Sequence, residues 1–237
     1  MYQNIVLHIP HGSEYIPEQV GDHHSPALRL LRTNSFYLID YYTQPLFAPS
    51  EPKLAIKTLC AHNHRMLVDM ERLPNDPLEP NGFGIVSQWA INRLGEDYIQ
   101  VTLEQYRAYH EEATKCLNML KNPLLIDCHS FSSKPTPLCP IPHDVDICIG
   151  WNEDETCPDR MLLKLVAAHF KECGYVVGIN KPFSNTKTFP GAFGYHSMMI
   201  EINKRCYMNE ETLEKTPNFI NLHNQLQRLY EILLGNK

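Results

Sequence analysis

Short apolar runs alternate along the chain with longer stretches in which apolar positions recur every three or four residues. Runs rich in Ile, Leu and Val occupy residues 2–9, 53–59, 65–70, 123–130, 144–150, 174–179 and 196–203, and their length and branched composition predict buried strands. Helical spacing covers 102–120, where Thr102 and Gln105 form a capping-box pattern; 158–173, which opens at a proline and stops at Gly174; and 217–235. A further helix is predicted over roughly 25–47. Strands alternating with helices predict an α/β fold: one domain over residues 1–237 with a mainly parallel or mixed central sheet and helices on both faces.

In such sheets ligands bind beyond the carboxyl ends of the strands. Polar clusters follow the apolar runs at those points: His11 and Glu14 after the first, Asp69 to Arg72 after the third, Asp127 to Ser130 after the fourth, with Glu201 and Asn203 inside the last. The loops 73–86 and 131–143, rich in proline and glycine, read as walls of a cleft.

Composition narrows the function classes. With 43% hydrophobic and 20% charged residues the chain falls among ordinary globular proteins. A net charge of −6 without a basic run argues against a nucleic-acid partner and for a small molecule. The absence of an export signal and of a long apolar span predicts a cytoplasmic protein without membrane association. Eight cysteines without CxxC spacing read as reduced thiols, and Cys128 and Cys148, inside strand-like runs, as small hydrophobes.

The candidate chemistry is that of a metal hydrolase. Two histidines and a carboxylate leave one position on zinc open for water. His11 and Glu14 are read as two ligands from one turn, bent at Gly12, and His129 as the third, with Asp127 two positions earlier orienting a ligand or contacting substrate. His8, His23, His24, His62 and His64 compete, the His62 and His64 pair being the second choice. Such a hydrolase needs a base, and Glu201, a lone carboxylate among Met and Ile, fits it, with a salt bridge to Lys204 or Arg205 as the rival reading. For a substrate carboxylate the candidates are Arg65, Arg72, Lys181 and Arg205. Arg72, just beyond a strand, is preferred. Asp69, Ser130, Asn180 and Asn203 are further candidates for substrate contact, the loop after Asn180 serving as a lid or side-chain pocket.

The segments PHGSEYIP, RMLVDMERLP, DCHSF, NKPFSNTKTFPG and IEINKRCYM, in this order, resemble the N-formylglutamate amidohydrolase family from about residue 5 to about residue 210. That family looks related to the zinc carboxypeptidases and aspartoacylase. The resemblance implies a zinc-carboxypeptidase-like fold, with zinc or another divalent transition metal on His11, Glu14 and His129, Glu201 as base and Arg72 as carboxylate clamp. It also implies hydrolysis of the amide of a small N-acyl amino acid. The alternatives are a carboxypeptidase or amidase acting on short peptides or cell-wall fragments, and a non-catalytic module binding acidic ligands. The chain departs from the family pattern at Gly12, Ser13 and Glu71 and in the loop after Asn180, positions that touch the substrate pocket more than the metal.

Overall fold

The apolar runs become strands because helices cover the sheet on both faces, which leaves buried backbone groups no partners except one another. The computed structural model describes residues 1–17, 38–136, 139 and 144–235. Among them, β1 (Ile5–Ile9), β2 (Ile56–Cys60), β3 (Leu124–Phe131), β4 (Ile147–Gly150), β5 (Val177–Ile179) and β6 (His196–Asn203) form one sheet in the order β2-β1-β3-β6-β4-β5. Neighbours from β2 to β6 run parallel, β4 is antiparallel to β6, and β5 is parallel to β4, so the sheet is mixed.

Side chains alternate across the sheet. Ile5, Leu7 and Ile9 of β1 and Leu124, Ile126 and Cys128 of β3 join the main core with Leu163, Val166 and Phe170 of α4 (Arg160–Glu172) and Leu222, Leu226, Leu229 and Leu233 of α5 (Asn218–Leu234). Val6 and Leu125 face the other way, onto Ala113 and Leu117 of α3 (Glu96–Met119). Each of these large apolar side chains contributes about 1.5–3 kcal/mol by leaving water. The odd-numbered face of β3 therefore carries Asp127 and His129 to the same side as α3.

Several sequence expectations are corrected. Residues 65–70 form no strand: they make a turn, with Leu67 N–H donating to the His64 carbonyl, and Asp69 N–H donates to Ile85. Leu67 packs on Ile16, and Val68 and Met70 pack on Ala61 and Tyr106, so an apolar plug produced the strand-like pattern. α3 starts at Glu96, six residues before the expected box, with Glu96 and Asp97 favourably placed in its first turn. Thr102 lies inside this helix, where its hydroxyl donates to the Ile99 carbonyl at 2.8 Å, the local bond that lets threonine sit within a helix as well as cap one. α4 is capped by Asp159, whose carboxylate accepts from Met161 and Leu162 N–H. Of the helix expected over 25–47, the described part holds only α1 (Thr43–Phe47), Tyr42 before it having φ 63°, and residues 25–37 lie outside the described residues. The short α2 (Gln88–Ile91) precedes α3. All eight cysteines are free thiols. No described helix is long and apolar enough to cross a membrane.

Candidate active site

Five chain segments meet beyond the carboxyl ends of the strands. β3 supplies Asp127 and His129, and β6 supplies Glu201, the register partner of His129. The two side chains stand side by side on one face, their backbones about 4.8 Å apart. His11 follows β1. Its carbonyl accepts from Asp40 N–H at 2.9 Å, and Thr43 Oγ1 donates to the Asp40 carbonyl at 2.7 Å, which pins Asp40 against the first turn. Gly12 permits this approach, since a Cβ there would lie 2.7 Å from Thr43 Oγ1. The segment 69–72 is held from α3 by His110 Nε2 donating to the Met70 carbonyl at 2.9 Å and Tyr106 OH donating to the Arg72 carbonyl at 2.7 Å.

At the centre, Asp40 Oδ2 lies 3.6 Å from His11 Nδ1 and 3.2 Å from His129 Nδ1. Each ring turns its other nitrogen to a second carboxylate. His11 Nε2 donates to Asp69 Oδ1 at 2.9 Å, and His129 Nε2 is 3.0 Å from Asp127 Oδ1 but out of line for a hydrogen bond. Behind them, Asp127 Oδ1 accepts from His8 Nδ1 at 2.7 Å, and Asp69 Oδ2 takes both Nε and Nη2 of Arg65, at 3.0 and 2.6 Å. Glu71 lies 3.5 Å from His11 Nε2, 3.7 Å from His129 Nε2 and 3.4 Å from Arg72 Nη1.

Charge governs the protonation of this cluster. Burial alone would raise the carboxyls, but bonds and charge from His11 and His129 hold Asp40 below the usual range, and Arg65, His11 and Arg72 hold Asp69 well below it. Burial disfavours a charged His129, yet Asp127 and Glu71 hold it well above an ordinary histidine. Glu201 goes the other way: burial pushes its carboxyl up to about 8, with His129 opposing and Asp40, Glu71 and Asp127 adding to the rise. Its Oε2 is buried with no hydrogen-bond partner.

Three overlapping groups have ligand atoms close enough to share a cation: His11 with Asp40 and His129, His11 with Asp69 and Glu71, and Glu71 with Asp127 and His129. The first is the zinc-like donor set, two imidazoles and one carboxylate. Its Nδ1 to Oδ2 separations of 3.2 and 3.6 Å bracket the roughly 3.4 Å edge of a tetrahedron with zinc bonds of about 2.1 Å. Metal-bound histidines typically give their second N–H to a carboxylate, as His11 does to Asp69. Around these groups the buried carboxylates Asp40, Asp69, Glu71 and Asp127 are matched by Arg65, Arg72, Lys204 and a protonated His129, with Glu201 neutral.

Other expected site residues fall elsewhere. Glu14 is exposed and outside all three groups, on a segment where Ser13 Oγ accepts from Tyr15 N–H at 3.1 Å. The HxxE spacing, expected to give a ligand pair with His11, does not bring Glu14 into any of these groups. Asn180 is a backbone support with φ 51°, its Oδ1 accepting from Trp151 N–H at 2.9 Å, and Asn203, fully buried, caps the turn at Arg205 and donates to the Val145 carbonyl. Neither lines the site cavity, and nor do Asp69 and Asp127, which stand behind the histidines. Arg205 pairs with Asp146 at 2.9 Å instead of with Glu201. His62 is exposed against Tyr15, and His64 Nδ1 accepts from Met66 N–H, so that pair joins none of the three groups. His23 and His24 lie outside the described residues. Asp40 and Glu71 were missed. Asp40 lies in the apolar stretch Leu38-Ile39-Asp40-Tyr41, the same signal of a lone acid in a hydrophobic run that marked Glu201.

His11, Asp40, Glu71, Arg72, His129, Ser130 and Glu201 all open onto one cavity of about 520 Å³, within the range of small-molecule sites. The chain matches the family model for N-formylglutamate amidohydrolase over residues 3–208. The crystal structure of an N-formylglutamate amidohydrolase from Ralstonia eutropha aligns with a TM-score of 0.70 at 20% identity, covering 99% of this chain and 94% of that one. A crystal structure of a gene product from Agrobacterium tumefaciens aligns with a TM-score of 0.57 at 17% identity, covering 98% of this chain and 92% of the other. At these identities the structural likeness speaks for the fold. No curated protein sequence matches the chain.

Proposed function

The chain belongs to the N-formylglutamate amidohydrolase family, and from that premise we propose that it is a metal-dependent hydrolase of the amide bond in small N-acyl amino acids, with His11, Asp40 and His129 as the ligands. The reading is carried by one observation: two buried histidines converge on Asp40 beside the unpartnered carboxyl of Glu201, at the floor of a cavity. Zinc, or another divalent transition metal, bound there supplies Lewis acidity toward the acyl carbonyl and eases ionisation of water. Asp69 holds the His11 ring by its Nε2–H, and Arg65 holds Asp69 in turn. Glu201 takes a proton from the attacking water and returns it to the leaving amide nitrogen, and a divalent ion held beside it would favour the ionised carboxylate that the first step needs. Arg72 holds the substrate carboxylate: its guanidinium faces Glu71 at 3.4 Å and Asp69 and Asp76 at 3.7 Å, and its buried Nε has no hydrogen-bond partner. Ser130, at the cavity wall, contacts substrate.

Elemental analysis of untagged protein tests the ligand set. About one divalent ion per chain is expected in the wild type, with loss in both His129→Ala and Asp40→Ala and retention in Glu14→Ala. Retention of full metal in Asp40→Ala overturns the set. Hydrolysis of N-formyl and N-acetyl amino acids by the metal-loaded chain tests the reaction.

A further inference from the structure

The even-numbered positions of β1 face α3, where Val6 is buried among Leu125, Ala113 and Leu117. His8 stands at the next such position, fully buried, where the alternation calls for another hydrophobe. It joins none of the three groups that could share a cation. Its register partner across the sheet is Asp127 of β3, and its Nδ1 lies 2.7 Å from Asp127 Oδ1. A carboxylate only accepts, so Nδ1 carries the proton and Nε2 the lone pair. That Nε2 is buried without a hydrogen-bond partner among the described residues, the ring lying 5.0 Å from Phe189 and 5.9 Å from Tyr109 by centroids. An imidazole with one nitrogen left unsatisfied in an apolar place costs stability, which singles out the bond to Asp127 as what this residue supplies.

The same Asp127 oxygen is 3.0 Å from His129 Nε2. The arrangement repeats at the other histidine, where Asp69 Oδ1 accepts from His11 Nε2 at 2.9 Å and Arg65 grips Asp69 Oδ2 through Nε and Nη2. Each proposed histidine ligand thus turns its Nε2 to a carboxylate, and a further side chain holds each carboxylate from behind: Arg65 on the His11 side, His8 on the His129 side. A carboxylate behind a metal-bound imidazole fixes its ring orientation and its tautomer.

Resting on the proposed metal-dependent reading, we infer that His8 is a positioning residue: its Nδ1–H holds Asp127 Oδ1 at His129 Nε2, which keeps the His129 N–H on that side and presents His129 Nδ1, together with Asp40 Oδ2, to the ion. His8 does not line the cavity, and it acts through Asp127.

Zinc affinity of the full chain, read by competition with a chromophoric chelator, tests this. His8→Phe keeps a ring beside Phe189 and Tyr109 but removes the donor, and it should bind zinc about 10–100-fold more weakly than wild type. His8→Asn, whose amide nitrogen stands where Nδ1 does, should recover most of that loss; His8→Gln, whose amide nitrogen stands where Nε2 does, should not. The absorption spectrum of the cobalt-loaded chain should change in His8→Phe and return in His8→Asn. In an Asp127→Asn background His8→Phe should cost nothing more, since the two residues act as one unit. If His8→Phe fails to fold, the contrast between the Asn and Gln variants decides alone. Wild-type zinc affinity in His8→Phe, equal affinities in His8→Asn and His8→Gln, or the same loss with and without Asp127 overturns the assignment and leaves the metal site standing. A wild-type chain that binds no zinc overturns the metal-dependent reading and the assignment with it.

Discussion

At the scale of single residues, Glu201 and Gly12 carry opposite burdens. In the metal-free chain burial keeps the Glu201 carboxyl neutral up to about pH 8, whereas in the unfolded chain it ionises near its ordinary value. A folded pKa raised in this way leaves stability untouched below the ordinary carboxyl range and erodes it as pH rises toward 8. Glu201→Gln, neutral throughout, should therefore melt higher than wild type at pH 7 in the presence of a chelator. The same variant should retain metal and lose activity by about 10²-fold or more. Calorimetry and kcat together check this, and wild-type turnover in the variant removes Glu201 from the chemistry. Gly12→Ala drives a methyl into Thr43 Oγ1 and shifts Asp40 through the Thr43 to Asp40 hydrogen bond. It should destabilise the fold by about 1–3 kcal/mol, as overpacking does, and weaken metal binding. Unaltered zinc affinity would mean that Asp40 is placed by other contacts.

At the scale of elements, α3 is the clamp of the site. It reaches across with Asn63 donating to Gln105 at 2.7 Å, Tyr106 to the Arg72 carbonyl and His110 to the Met70 carbonyl, and so orders a segment that has no strand partners of its own. Tyr106→Phe removes one such bond at a cost of about 0.5–1.5 kcal/mol. Because Tyr106 holds the backbone under Arg72, KM should rise several-fold while kcat stays near wild type, and steady-state kinetics on an N-acyl amino acid reads the split. A fall in kcat alone would assign the segment to the chemistry and not to binding. This element was legible as a helix, but its start was not. Periodicity reports which face is buried, and Gly95 with two acids offers as good a beginning as Thr102 with Gln105. Likewise 65–70 reads as a strand because an apolar plug and a strand present the same run of side chains.

For the whole molecule, the buried acids and their histidine and arginine partners tie folding to pH, and the proposed metal site ties it to zinc. Zinc at a hundred times its dissociation constant should stabilise the chain by about 2.7 kcal/mol, roughly 5–10 °C in Tm for a chain of this size. Scanning fluorimetry before and after chelation measures it, and no shift would refute binding to the native state. In the stripped chain Asp40, Asp69 and Asp127 have carboxyls held below the usual range by their histidine and arginine partners against the effect of burial. Depressed acids contribute stability that is present above their ordinary value and lost as pH falls through it. The urea midpoint should thus fall steeply from about pH 4 downward. A flat profile to pH 3 would contradict the pairings.

The residue pattern by itself determined the alternation of strands and helices, the two-faced core and the strand-borne pair His129 and Glu201. Side chains along a strand share a face by simple alternation, and a lone acid in an apolar run must be used or neutralised. Only the tertiary structure decided that Asp40 joins His11 and His129, that Glu71 lies among them, and that Glu14 does not. The physical reason is that a ligand set is a meeting of distant segments, fixed by hydrogen bonds such as Asp40 N–H to the His11 carbonyl and by close approaches such as Gly12 on Thr43. A spacing of three residues becomes proximity only where the backbone folds the second residue back on the first, and Glu14 is exposed to solvent instead.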